Sequence, residues 1–162
     1  NYSTPKEQLH AFEKQLVIAH DTQLPVFLHE RKAFETFYPI IKEHRPYLTN
    51  AVVHCFTGDK KALYAYLDLD LHIGITGWIS DPRRGKHLID LVHNIPLNKL
   101  MIETDAPYLL PFNIPHKVKN KRNEPAFLKY VAHSIAQAYN LDIETIVNSS
   151  TQTATDFFQL QK

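Results

Sequence analysis

The chain has 162 residues, of which 44% are hydrophobic and 22% are charged, and its formal net charge is +1. This composition is typical of a soluble globular protein and excludes an intrinsically disordered chain. The length is enough for one domain with a core, and the net charge argues neither for nor against nucleic acid. No apolar run approaches the roughly 18 residues of a transmembrane helix, so we expect no membrane partner.

The single cysteine and the single methionine indicate the cellular compartment of the protein and whether the sequence is a complete chain. Cys55 is the only cysteine, which excludes an internal disulfide and indicates a reducing compartment such as the cytoplasm. Met101 is the only methionine and the chain opens at Asn1, so we expect a piece of a longer protein. No linker divides the chain, and we predict a single domain over residues 1–162.

Helix signals occur along the whole chain. At the first helix, Thr4 is a candidate N-cap, Pro5 suits the first helical position, and Glu7 completes a capping box. This helix is predicted to run to about His20. Apolar spacing and caps predict further helices over 33–44, from Asp59, over 85–93, from Pro125, and as two shorter helices from near Asp142 and Thr151.

Short apolar runs alternate with these helices and end at His29, His54, Thr76 and Glu103. Such alternation predicts parallel strands joined by right-handed crossovers. The ends recur at intervals of roughly 25 residues, as in a (β/α)₈ barrel of about 250 residues. We therefore predict an α/β fold that is the C-terminal half of such a barrel, with four parallel strands. A small doubly wound sheet is the alternative, although the glycine-rich phosphate loop of such sheets is absent.

Three of the residues at the strand ends are types that bind divalent metals, namely His29, His54 and Asp105. In a parallel barrel all strand ends meet at one face, so these side chains are predicted to share a metal ion. Imidazoles with a carboxylate suit zinc, manganese or iron, and a carboxylate-rich site also accepts magnesium. A bound metal would lower the pKa of its water, and Asp105 could accept the proton.

A second carboxylate, Glu103, lies two residues before Asp105 and points the same way in an extended chain. It is a second catalytic candidate, and the alternative is a hydrogen-bonding role within the barrel mouth. Gly74 and Gly77, at the third strand, indicate close approach of another group to the backbone.

Five segments, taken together and in order, resemble the TatD family of metal-dependent deoxyribonucleases. They are PVFLHER (25–31), VHCFTG (53–58), GITGW (74–78), IETDAPYL (102–109) and RNEPA (122–126). The resemblance implies a metal-dependent phosphodiester hydrolase with an amidohydrolase-like barrel, acting on DNA. The resemblance implies that His29, His54 and Asp105 bind the metal. It also matches Glu103 to the family glutamate, and Asn123 and Glu124 to a loop at the active-site mouth.

The chain also departs from the family pattern. The family begins with a His-x-His pair and carries a glutamate on its fourth strand, and all three are absent here because the chain starts after them. We therefore expect that a missing N-terminal half or a second copy is needed to complete the barrel.

Under this hypothesis DNA is the substrate, since guanidinium groups pair well with phosphate. The candidate phosphate contacts are Arg31, Arg83, Arg84 and Arg122. Two other functions stay open. One is hydrolysis of a small ester or amide by the same metal-bound water, and the other is a truncated, inactive paralogue.

Overall fold

The computed structural model describes residues 2–160, so the predicted domain bounds extend past the described residues at Asn1, Gln161 and Lys162. The helices are α1 (Pro5–Thr22), α2 (Phe34–His44), α3 (Lys60–Asp68), α4 (Lys86–Val92), α5 (Leu128–Tyr139) and α6 (Ile143–Phe157). The strands are β1 (Val26–His29), β2 (Ala51–His54), β3 (His72–Ile75) and β4 (Leu100–Ile102). Within residues 2–160, no helix has both the length and the apolar character that crossing a bilayer requires.

The four strands form one parallel sheet in the order β1-β2-β3-β4. The order follows the chain without reversal, so the sheet lacks the switch point that defines a doubly wound fold, and that alternative is wrong. The register places His29 directly beside His54 at the carboxyl ends of β1 and β2. The predicted α/β class with parallel strands is confirmed, and two candidate ligands are neighbours because of it.

The two faces of the sheet differ in what covers them. One face packs against the helices through residues such as Val53, Ile73 and Ile75, which belong to the main core. Because strand side chains alternate, the opposite face, here called the inner face, carries the other set. Its members are Phe27, His29, Val52, His54, His72, Gly74, Met101 and Glu103.

Local sequence signals explain where the helices begin. The predicted capping box of α1 is present, with Thr4 accepting from the Glu7 amide and the Glu7 carboxylate accepting from the Thr4 amide. Asp59 caps α3 and Asp142 caps α6 through their side-chain oxygens. These caps satisfy amides that would otherwise lack partners in the first helical turns.

The two short C-terminal helices predicted from near Asp142 and Thr151 are one continuous helix, α6. No second helix begins at Thr151, which is exposed, whereas Ser150 and Thr153 lie on the buried side of α6. Ser150 Oγ accepts from the Ile102 amide at 3.0 Å, and Thr153 donates to the Leu97 carbonyl at 3.1 Å. The Ser150 bond occupies an amide on the free edge of β4, and the Thr153 bond ties α6 to the turn that precedes β4. At the end of α6, Phe157 packs on Val52 and Met101 and closes the amino end of the inner face.

The buried imidazole of His72 predicts an acid-sensitive fold. Its ring meets the edge of Phe157, and burial, helped by the Lys99 charge and opposed by Asp70, lowers the pKa of His72 to about 4. The unfolded state, with an ordinary histidine pKa near about 6.5, therefore takes up the proton first as the pH falls. The contribution of the neutral His72 to the free energy of unfolding is therefore fully present above about pH 6.5, and it decreases progressively as the pH falls to about 4.

We expect His72→Leu to flatten this dependence, so that the free energy of unfolding changes less between pH 6.5 and 4.5 than in wild type. Urea titrations followed by Trp78 fluorescence measure it. The matched control is His133→Leu, since His133 is exposed on α5 and should leave the wild-type slope. The same pH slope in His72→Leu and in wild type would contradict the assignment.

Candidate active site

A cleft of about 1030 Å³ opens at the carboxyl ends of the strands. It is bounded by the segments that follow β1, β2, β3 and β4, the region where parallel α/β folds place their sites. Its lining includes His29, Arg31, Cys55, Trp78, Arg84, His87, Asp105 and Tyr108. The sheet therefore brings two of the three predicted metal ligands, His29 and Asp105, to one cavity.

His54 stands between two carboxylates, one of which, that of Asp105, belongs to a residue that lines this cleft. Its Nε2 lies 2.9 Å from Oδ1 of Asp105, and its Nδ1 lies 2.9 Å from Oε1 of Glu103. The Nδ1 contact does not have hydrogen-bond geometry, and this buried nitrogen has no hydrogen-bond partner among residues 2–160. Glu103 and Asp105 thus converge on opposite sides of one ring, as their spacing two residues apart predicts.

The carboxylate of Glu103 fits here because Gly74 leaves room for it. A Cβ added to Gly74 would lie 2.5 Å from Cδ and 2.8 Å from Oε2 of Glu103. On the other side, the Cys55 amide donates to Oε1 of Glu103 at 2.5 Å. That amide is presented by a residue with a φ of 49°, a left-handed conformation that is uncommon outside glycine. Glu103 is therefore held by backbone on two neighbouring strands.

The site shifts the pKa of two groups. Contact with the Glu103 carboxylate holds the pKa of His54 above its ordinary value, against the opposing effect of burial, and Asp105 adds to the rise. Burial raises the pKa of the Cys55 thiol to about 11. Without a bound metal, Cys55 is therefore a neutral thiol near neutral pH, which disfavours it as a nucleophile.

The three predicted metal ligands are close but do not surround a common point. The ring of His29, which is exposed, has its centroid 5.6 Å from that of His54. Within residues 2–160, no group of three or more His, Cys, Asp or Glu side chains is already arranged to hold a metal ion. The contact between His54 and Asp105 takes up the space between two of the expected ligands.

The donor set nevertheless fits a divalent cation. Two ligands of one ion, bound at about 2.1 Å and at right angles, lie about 3.0 Å apart, close to the 2.9 Å between His54 Nε2 and Asp105 Oδ1. Histidines that bind metals usually donate their other ring N–H to a carboxylate, and Nδ1 of His54 faces Glu103. These distances are compatible with His54 and Asp105 as ligands of one ion and with Glu103 as the carboxylate that orients His54.

The four arginines predicted to contact phosphate are distributed unequally. Arg31 and Arg84 line the cleft, and Arg84 lies over the Trp78 ring at 5.0 Å. Arg83 lies beside a smaller neighbouring cavity, which Arg84 also lines. Arg122 is exposed and lines neither cavity. Arg84 is the arginine that joins the two cavities.

Asn123 connects the segment after β4 to the loop that precedes α5. It is 3% exposed, and its amide donates to Thr104 Oγ1 at 3.0 Å and to the carbonyls of Tyr108 and Leu109 at 2.7 and 3.2 Å. Its Oδ1 accepts from the amide of Glu124, whose side chain is exposed. Asn123 is thus committed to holding the loop beside Asp105, which favours a positioning role over direct substrate contact.

Several residues of the cleft were not predicted from the sequence. Trp78 and Tyr108 line it, the latter 74% exposed, and Glu30 accepts from the Ala33 amide and from the Tyr66 hydroxyl. Trp78 is the sole tryptophan and follows Gly77 directly after β3, and this pattern could have indicated a residue of the cleft. The left-handed backbone of Cys55 had no such signal, because cysteine has no preference for that conformation.

The space beside Gly74, which the Glu103 carboxylate occupies, allows a test of how Glu103 is held. Gly74→Ala should displace the Glu103 carboxylate, break its bond from the Cys55 amide, and lower the free energy of unfolding by roughly 1–3 kcal/mol. In a Glu103→Ala background the same substitution should cost much less, because the clash is gone. Urea denaturation of the four proteins measures this coupling, and additive losses would contradict it.

The Asn123 contacts give a second test. Asn123→Ala leaves two loop carbonyls and the Thr104 hydroxyl without their donor, so we expect a stability loss of roughly 1–3 kcal/mol. Trypsin should also cut the exposed basic segment 117–122 faster than in wild type. Asn98→Ala is the matched control, since Asn98 is exposed and lies outside this loop. Equal cleavage rates in Asn123→Ala and wild type would contradict the positioning role.

Comparison with known proteins agrees with this architecture. Two bacterial proteins named "3'-5' ssDNA/RNA exonuclease TatD" are 46% identical (Rahnella sp. strain Y9602) and 45% identical (Edwardsiella piscicida) over 160 residues. These alignments cover 99% of this chain but 61% and 62% of the two relatives. The chain therefore spans about three fifths of the length of these relatives.

Solved structures share the fold. A hydrolase TatD family protein from Entamoeba histolytica superposes with a TM-score of 0.86 at 24% identity, covering 98% of this chain and 58% of that one. The TatD homologue YJJV from Escherichia coli K12 gives a TM-score of 0.84 at 25% identity, with coverage of 96% and 58%. The family model described as "TatD related DNase" matches residues 1–159, and the chain belongs to that family.

Proposed function

We propose that this chain is part of a hydrolase that cleaves phosphodiester bonds of DNA with the help of a divalent metal ion. The observation that carries the proposal is the His54 imidazole set between Glu103 and Asp105 at the mouth of a parallel sheet, in a TatD-family chain. The names of the relatives, which refer to exonucleases of single-stranded DNA and RNA, support a nucleic acid substrate.

We propose that residues 1–162 form one domain that is the C-terminal half of a (β/α)₈ barrel. The strand order and the partial coverage of the relatives support this. Phe27 adds support, because it is an apolar side chain on the inner face and is 52% exposed. A further segment of the protein, or a second copy of this chain, would cover that face and complete the barrel.

His29, His54 and Asp105 would hold the metal ion, with magnesium, manganese and zinc all compatible with two imidazoles and a carboxylate. When bound, such an ion supplies a coordinated water of lowered pKa, and thus a nucleophile near neutral pH. The partial ligand set fits the idea that the rest of the site lies outside this chain.

The chain's own residues have separate tasks in this proposal. Asp105 is the group placed to accept a proton from the attacking water, since its carboxylate lines the cleft. Glu103 holds the His54 ring by facing Nδ1, so that Nε2 is directed toward Asp105. Arg31 and Arg84 lie at the rim of the same cleft, where their charges favour a phosphate group.

The remaining substrate candidates lie farther out. Arg83 belongs to the neighbouring cavity, and Arg122 and Glu124 lie on the loop that Asn123 anchors. We propose that they act on the strand beyond the reacting phosphate. A cytoplasmic location, proposed from the single cysteine, places the enzyme with nucleic acid.

The decisive experiment measures DNA hydrolysis by the parent protein in magnesium or manganese. Changing a residue that orients a metal ligand usually lowers metal affinity or activity by about 10- to 100-fold, so kcat/KM of Glu103→Gln should fall by an amount in that range. His54→Ala should lower kcat/KM by roughly 100-fold or more, because it removes a ligand itself.

His133→Ala is the matched control, since His133 is exposed on α5 and away from the cleft. Equal rates for His54→Ala and wild type would end the nuclease proposal. A panel of small esters and amides, run in parallel, tests the hydrolase alternative, and turnover there without DNA cleavage would favour it. Absence of tight manganese binding by the parent protein would favour the inactive paralogue.

A further inference from the structure

A second cavity of about 430 Å³ adjoins the cleft. It lies between the turn that follows β3 and the segment 109–112. Trp78, Arg84 and Leu109 line both cavities, so the two form one path along the surface. The volume is within the range of small-ligand pockets, roughly 300–1,000 Å³, and is suited to a single nucleotide.

The walls of the second cavity are fixed to each other. Ser80 Oγ donates to the Gly77 carbonyl at 2.7 Å and accepts from the Phe112 amide at 2.8 Å. The Leu109 carbonyl passes so close to Gly77 that an added Cβ would collide with it. The Ser80–Phe112 bond and the close approach of Leu109 to Gly77 join the turn after β3 to the segment 109–112. The cavity is therefore formed in advance of any ligand.

The lining of the second cavity combines aromatic rings with cations. Phe112 is 56% exposed, and Trp78 carries the Arg84 guanidinium 5.0 Å from its ring. Arg83 and Arg84 approach the Asp81 carboxylate at only 3.7 and 3.9 Å, and their side chains are 72% and 56% exposed. Such long, exposed ion pairs leave the guanidinium groups available to another anion.

Lys121 adds a cation on the far wall. It lines the second cavity from the loop that Asn123 anchors, with a left-handed φ of 52°. Together with Arg83 it gives the cavity positive charge on two sides of an aromatic surface. Rings for stacking and cations for the backbone are the two elements that bind unpaired nucleic acid strands.

We propose, on the basis of the nuclease function proposed above, that the second cavity is a subsite for the nucleotide adjoining the terminal one in a single strand. Its base stacks on Phe112, and its phosphate is held by Arg83 and Lys121. The terminal nucleotide occupies the main cleft, and Trp78 with Arg84 lies at the boundary.

Binding as a function of strand length tests this subsite. Trp78 is the only tryptophan and lies between the cavities, so its fluorescence reports occupancy directly. Titrations with thymidine 5′-monophosphate and with a thymidine tetranucleotide, in the presence of a chelator, give the affinity gained by length. We expect wild type to bind the tetranucleotide more tightly and Phe112→Ala to lose roughly five- to 100-fold of that gain.

Lys121→Ala should weaken tetranucleotide binding and reduce the slope of log affinity against log salt by about 0.7, the value for one phosphate contact on a single strand. Tyr47→Ala and Lys42→Ala are matched controls, since both side chains are exposed and line neither cavity. Both should behave as wild type.

The subsite is overturned if Phe112→Ala keeps the full gain with length, or if wild type shows no gain. Hydrolysis is not read in these titrations, so the two proposals fail separately. A protein that binds the tetranucleotide as expected but cleaves no DNA would contradict the nuclease and support the subsite.

Discussion

The site depends on the burial of the Glu103 carboxylate beside His54. Removing a carboxylate from water is unfavourable unless charged or hydrogen-bonding partners replace the lost solvent. Here the Cys55 amide and the His54 ring do so, and Gly74 provides the space. Three strands must keep their register for these groups to meet, so the chemistry of the mouth is tied to the pairing of the sheet.

The sheet satisfies this requirement by dividing its faces. On the helix side, residues such as Val53, Ile73 and Leu100 build the core that holds the strands together. Toward its amino end the inner face carries Phe27, Val52 and His72, and Phe157 of α6 packs on Val52 and Met101. The carboxyl end of the same face is polar and carries His29, His54 and Glu103. Stability and chemistry are thus separated along each strand, as in barrels whose sites lie at one end.

Much of this could be predicted because the signals are local. The capping box at Thr4, the cap at Asp59 and the strand ends at His29 and His54 each follow from a few neighbouring residues. What failed or was missed depends on tertiary contacts. The serines and threonines of α6 resemble a helix start in sequence, yet Ser150 bonds to an amide of β4. The single long helix follows from that distant edge, which no local pattern reports.

The same distinction applies to the candidate site. The types and positions of His54, Glu103 and Asp105 could be read from the chain, but their relation could not. A set of three ligands around one ion stays a prediction; in the structure His54 contacts Asp105 directly, and the His29 ring centroid lies 5.6 Å from that of His54. Which nitrogen faces which carboxylate depends on the backbone of Cys55 and the space at Gly74, and both are set by the neighbouring strands.

The distribution of charge gives the proposed reaction its direction. Asp105 lines the cleft and favours a cation, while Arg31 and Arg84 line the same cleft and favour phosphate. A phosphodiester drawn to these arginines would therefore meet a cation held in the same cleft. Arg84 also lines the second cavity. In the proposed nuclease, the guanidinium that contacts the reacting phosphate therefore lies at the boundary with the subsite of the next nucleotide.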